Sequence, residues 1–124
     1  MSDALRGVVA AHGSLAEALV RAAESISGVT GVLRAVSNED CDRGRLEARL
    51  TEAIGPGPAV VFVDLPSGSC HFAALHRFHE DPRIRVITGV NLAMLVDFVF
   101  HRELPLDDAV AKAIAAGTRA IKVP

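Results

Sequence analysis

Four short apolar runs, rich in β-branched side chains and mostly apolar at consecutive positions, constrain this chain more than any other feature. They are Gly7 to Ala11, Val32 to Val36, Ala59 to Val63 and Ile84 to Thr88. A strand with one wet face alternates apolar and polar residues, whereas a strand covered on both faces reads as a nearly continuous apolar run. Between the runs lie segments with helical spacing. Leu15, Leu19, Ala22 and Ile26 form one apolar stripe, and Leu46, Leu50 and Ile54 form a second. Gly28 and Gly31 close the first segment, and Gly55-Pro56-Gly57-Pro58 closes the second. Asn38 or Asp40 is placed to cap the second helix. A third helix is expected to carry His71, His76 and His79, Asn91 to Phe100 a fourth, and Leu106 to Ala116 a fifth ended by Gly117. Ala120 to Val123 reads as a short final strand.

Strand and helix alternating in this way predict βαβ units. The expected fold is a doubly wound α/β domain: a mostly parallel sheet of about four strands plus a C-terminal edge strand, with helices on both faces. With 124 residues, residues 1–124 are expected to form a single domain. Half of the residues are hydrophobic, yet there are five Phe and no Trp or Tyr, so the core must be aliphatic. A formal net charge of −2 supplies no basic face for nucleic acid or an anionic membrane surface. No apolar run reaches the roughly 18–20 residues of a membrane span. The N-terminal MSDALRG lacks the basic and apolar regions of a signal peptide. Two cysteines, Cys41 and Cys70, are too few for a disulfide framework. A protein of a reducing, cytoplasmic compartment is expected.

In an open parallel sheet, ligands bind beyond the carboxyl ends of the strands. His12-Gly13-Ser14 follows the first run and Ser37-Asn38-Glu39-Asp40 the second. Asp64-Leu65-Pro66-Ser67-Gly68-Ser69-Cys70-His71 follows the third and Gly89-Val90-Asn91 the fourth. Polar residues thus converge on one edge while the strands feeding it are apolar. His12 leaves a buried strand at the start of a helix, and an imidazole with a pKa of about 6.5 is a good nucleophile near neutrality. A phosphoryl group on it would sit beside unpaired helix N–H donors. Asp64 is its natural partner, because a carboxylate that accepts a proton from one ring nitrogen leaves the other free to attack. Ser67-Gly68-Ser69 can offer N–H groups and hydroxyls to phosphate oxygens. Taken singly, each feature also fits an ordinary turn or cap.

With these residues in view, the sequence resembles the EIIA domains of the mannose/sorbose class of the bacterial sugar phosphotransferase system. The resemblance covers nearly the whole chain: V-V-A-A-H-G-S-L-A-E-A-L, F-V-D-L-P-S-G-S and V-I-T-G-V-N-L-A-M-L stand in the family's order. It implies that His12 accepts a phosphoryl group from the phosphocarrier protein HPr and passes it to an EIIB-type domain, in a transport or a regulatory role. Asp64 would orient the ring. Gly13, Ser14, Ser67, Gly68 and Ser69 would surround the phosphoryl group, with Ser69 matching the serine of the family loop. The resemblance also implies a homodimer in which residues 120–123 add a strand to the partner's sheet, and no cofactor. Three positions depart from the family pattern: Ser67 replaces a glycine, and Cys70 and Ala93 replace prolines. A side chain at 67 restricts the loop if that glycine needs positive φ.

Other readings are open. The same fold could hold an anion or a protein without covalent chemistry. A hydrolase using Ser69 or Cys70 ranks last, because no Gly-x-Ser-x-Gly elbow is present. His76 and His79 are spaced for a metal but lack a third ligand, and no metal site is expected. Cys70 reads as a small residue filling the place of the family proline. Arg77, Arg83 and Arg85 could form a modest basic patch.

Overall fold

The computed structural model describes residues 4–124. The elements are β1 (Arg6–Ala11), α1 (Leu15–Ser27), β2 (Leu33–Ser37), α2 (Arg43–Ile54), β3 (Ala59–Val63), α3 (Ser69–Phe78), β4 (Ile84–Thr88), α4 (Leu92–His101) and α5 (Leu106–Arg119). The four strands pair in parallel in the order β2-β1-β3-β4. The four apolar runs are therefore the four strands of a doubly wound α/β sheet.

On the central strands β1 and β3 successive side chains enter opposite cores, which is why those runs do not alternate in polarity, while the edge strand β2 leaves Arg34 and Ala35 exposed. Val9, Ala11 and Phe62 face Ala16, Val20 and Ala23 of α1 and Leu95, Phe98 and Ala113 of α4 and α5. Val8, Ala10, Val61 and Val63 face Leu46, Leu50 and Ile54 of α2 and Ala73, Ala74 and Phe78 of α3. Phe62 and Phe98 meet edge to face at 5.2 Å and 75°, adding about 0.5–1.5 kcal/mol beyond the area they bury. Among the described residues no polar or charged side chain is buried in either layer. Polar side chains are left to the sheet edge, the loops and the outer faces of the helices.

Four local expectations are corrected. On α1 the buried stripe is Ala16, Val20 and Ala23, while Leu15 and Ile26 are exposed. The small residues let the helix lie close to the sheet, which turns the leucine stripe onto a flank. The cap of α2 is Asp42, whose side chain accepts the Arg45 N–H at 2.9 Å, because Asp40 has left-handed backbone, φ 54. Gly117 does not end α5. It is buried inside the helix, where a Cβ would stand 2.9 Å from Met94 Cε, so the glycine serves close packing against α4. Residues 120–124 form no strand in the described chain; Ile121 and Val123 are exposed, and β4 remains the sheet edge on that side.

Candidate functional site

From β1 the chain runs through α1 to β2 on one flank, then returns to lay β3 on the other. The carboxyl ends of β1 and β3 are thus neighbours whose onward chains diverge, which is where open α/β sheets form a crevice. Ala10 is level with Val63, and the Asp64 N–H bonds to the Ala10 carbonyl at 3.3 Å. The first polar residues past the two strands, His12 and Asp64, therefore emerge side by side.

Their contact is short and doubled. Asp64 Oδ2 accepts from His12 Nδ1 at 2.7 Å and from the His12 backbone N–H at 3.0 Å. Oδ1 accepts the Leu65 N–H at 2.9 Å. The His12 side chain is 45% exposed, the Asp64 side chain 10%: the imidazole faces outward and its partner is sheltered. Burial works to raise the Asp64 pKa. The hydrogen bond from the His12 ring, the His12 N–H, the charge of the ring and the Leu65 N–H together outweigh it and hold the carboxyl below its ordinary value. An ionised carboxylate only accepts, so Nδ1 carries a proton in this contact, and in the neutral form of the ring the lone pair is then on Nε2.

Gly68 closes the space beside Nε2. Its φ of +100 is reserved for glycine, and a Cβ there would lie 3.4 Å from His12 Cε1 and 3.6 Å from Nε2. Ser67 is exposed and carries no positive φ; among the described residues Asp40 alone does so without being glycine. The loop's demand for glycine thus falls at 68, and the expected restriction at 67 does not arise. Gly68 is also the N-cap of α3, which has no side-chain cap. Phe72 is the first to bond back, to the Gly68 carbonyl at 3.0 Å. The N–H groups of Ser69, Cys70 and His71 ahead of it are the unpaired donors of a helix start.

The β2–α2 loop completes the arrangement. Asn38 donates from Nδ2 to Ser69 Oγ at 3.1 Å and accepts the Gly13 N–H at 3.2 Å, tying the His12 turn to the start of α3. Ser37 Oγ donates to the Gly13 carbonyl at 2.8 Å. Arg49 holds this loop from behind through the carbonyls of Ser37 and Glu39 at 2.8 and 3.0 Å. Of the two cap candidates for α2, Asn38 and Asp40, Asn38 instead serves the polar edge on which its position after the second strand places it. Ser14 stands at the N-cap of α1, exposed and without a side-chain cap bond. Neither Ser14 nor Ser67 is hydrogen-bonded to His12 or Asp64 among the described residues.

The remaining candidates separate. His76 Nδ1 pairs with Glu47 Oε2 at 3.0 Å and His79 Nδ1 with the Leu75 carbonyl at 2.8 Å, so these two do not converge. Arg85 Nε is paired with Asp107 at 3.0 Å and Arg83 Nε with Asp81 at 3.5 Å, which leaves no basic patch built from them. Cys70 is fully buried, and burial, with the nearby Asp64 charge, pushes its thiol up to about 11. A protonated, enclosed thiol is neither nucleophile nor redox sensor. Among the described residues, one group of three could hold a metal ion: His12, Asp64 and Cys70, with donor atoms within 4.8 Å of one another. No helix among the described residues is long and apolar enough to cross a membrane.

The chain matches a known family, and its fold is shared by solved structures. The family model EIIA-man, described as "PTS system fructose IIA component", matches residues 7–115. No curated protein sequence matches the chain. Among solved structures it is similar to the phosphotransferase system component EIIA from Streptococcus agalactiae, at 22% identity and TM-score 0.88, covering 96% of each chain. The mannose/sorbose specific IIA subunit from Enterococcus faecalis is 23% identical with TM-score 0.81, covering 98% of this chain and 95% of the other. A sigma-54 interaction domain protein from Enterococcus faecalis is 17% identical with TM-score 0.76, covering 97% and 95%. At these identities the structural likeness speaks for the fold.

Proposed function

This chain belongs to the EIIA-man family of PTS system fructose IIA components, and from that membership we propose that it is a histidine phosphoryl relay. His12 takes a phosphoryl group from an HPr-type phosphocarrier and passes it to an EIIB-type partner, in transport or in regulation. The observation that carries the proposal is the 2.7 Å contact of His12 Nδ1 with Asp64 Oδ2 at the switch point, beside the uncapped start of α3.

In the forward step, the Nε2 lone pair attacks phosphorus as the phosphorus–nitrogen bond of the donor breaks. One phosphorus–nitrogen bond is exchanged for another, and the donor ring leaves with its electron pair. His12, now bonded at Nε2 and protonated at Nδ1, gains positive charge that the Asp64 carboxylate balances. The N–H groups of Ser69, Cys70 and His71 and the Ser69 hydroxyl receive the phosphoryl oxygens, while Gly13, Ser14, Ser67 and Gly68 shape the surrounding backbone. Catalysis here is positioning and charge balance, and no cofactor is needed.

Leu15, Leu65 and Phe72, flanking these residues in sequence, are 45%, 52% and 59% exposed. An apolar rim around a polar centre suits a protein partner better than a small molecule. Residues 1–124 act as one unit in this reading. The chain pairs as a homodimer, residues 120–123 extending a partner's sheet along β4, the unpaired edge whose neighbouring cleft includes Ile114 and Ile121.

The test is incubation with phosphoenolpyruvate, the general kinase of the system and HPr, followed by intact mass measurement beside His12→Ala. An acid-labile gain of one phosphate, absent in the variant, is expected. No gain while HPr itself is phosphorylated rejects the relay and leaves non-covalent binding of an anion or protein.

A further inference from the structure

We propose that His12, Asp64 and Cys70 form a divalent-cation site for Zn2+ or an ion of similar softness, and that occupancy takes His12 out of service. The site itself rests on the geometry below; its consequence for labelling rests on the relay reading.

The donors are an imidazole nitrogen, a carboxylate oxygen and a thiol sulfur, all within 4.8 Å of one another. Tetrahedral zinc, with bonds of about 2.0–2.3 Å, separates its ligand atoms by about 3.3–3.8 Å. Rotamer adjustments of about an ångström therefore close the set around an ion. His12 and Asp64 already touch at 2.7 Å and part slightly to admit it. A mixed nitrogen, oxygen and sulfur set suits zinc rather than magnesium or calcium, which prefer oxygen alone.

Charge and burial favour the same occupant. Metal binding converts the Cys70 thiol to a bound thiolate and releases one proton to solvent, while the imidazole binds in its neutral form. Dication, carboxylate and thiolate then sum to zero, the balance a sheltered site tolerates. Three protein ligands leave a fourth position to water through the exposed side of His12. The enclosed Cys70 sits at a place where the family pattern described above has proline, so this is a property of the present chain and not of the relay chemistry in general.

A bound ion and a phosphoryl group compete for His12. The metal draws the imidazole into its coordination shell and occupies Asp64, the group that would otherwise hold the Nδ1 proton.

The direct test adds Co2+ to the purified, metal-free chain and looks for a thiolate-to-cobalt charge-transfer band in the near ultraviolet, displaced by Zn2+. Cys41 and Cys70 are the only sulfhydryls, so the variants assign the band. It is expected to persist in Cys41→Ser and vanish in Cys70→Ala, with Zn2+ affinity in the latter falling about a hundredfold or more, beyond the ~10–100-fold typical of outer-shell partners. No band in the wild type, a band surviving in Cys70→Ala, or a band lost in Cys41→Ser overturns the site. If Cys70→Ala fails to fold by circular dichroism, Cys41→Ser decides alone, since Cys70 is then the one thiol left. Stoichiometric Zn2+ should also stop phosphate labelling of the wild type and leave the rate of Cys70→Ala as it is without metal. A band without any labelling of metal-free protein rejects the relay and keeps the site; labelling without a band does the reverse.

Discussion

Four of the five helices begin at the carboxyl edge of the sheet, and their N-termini are finished in two ways. Helices α2 and α4 are closed: Asp42 accepts the Arg45 N–H at 2.9 Å and Asn91 accepts the Met94 N–H at 3.0 Å. Helices α1 and α3 are open, Ser14 and Gly68 making no side-chain cap bond. A cap is worth about 1 kcal/mol; among these four helices the chain forgoes it at the two that flank His12, and α5, away from them, starts at Pro105 without one. The Leu15 N–H of α1 bonds to the His12 carbonyl at 3.2 Å; the first N–H groups of α3 keep their capacity for an incoming anion. The closed pair gains cap stability; the open pair lies where the proposed relay would receive its phosphoryl group.

The largest expected break in this contrast is Asp64→Asn. An amide cannot balance the ring charge and can present Nδ1 with a donor, favouring the wrong tautomer. The rate of phosphate labelling should fall about 10²–10⁴-fold while the fold persists by circular dichroism. Gly68→Ala comes next. Forcing a Cβ at φ +100 costs about 1–3 kcal/mol and strains the loop that packs against the His12 ring, so a lowered Tm should accompany slower labelling. At the closed helices, Asp42→Ala should cost about 1 kcal/mol, seen as a lower Tm with the labelling rate unchanged.

The smallest effect concerns acid. The folded pKa of Asp64 lies below its ordinary value, so its contribution to stability is complete above about pH 3.9, the unfolded value, and is lost as pH falls through the folded one. The stability difference between wild type and Asp64→Asn should therefore shrink below about pH 4, in denaturant titrations at stepped pH.

The strands and the His12–Asp64 pair were legible because both follow from local facts: apolar runs give buried strands, and the first polar residues after them meet at the switch point. What the sequence left hidden depends on the path of the backbone. Asp42 rather than Asp40 caps α2 because Asp40 turns left-handed. Gly117 carries the usual signal of a helix end, yet close packing on Met94 and Asn91 is what requires it. Asn38 becomes part of the site only when β2 is laid beside β1, and Cys70 comes near His12 only when α3 folds back under the loop. Neither proximity has a periodicity to betray it.

The proposed relay depends on which nitrogen of His12 is free, and long-range proton–nitrogen correlation spectra of 15N-labelled, phosphorylated protein measure that directly. Phosphorus coupling at Nε2 with a protonated Nδ1 is the predicted result. Phosphorus on Nδ1, or on any residue other than His12, would contradict it.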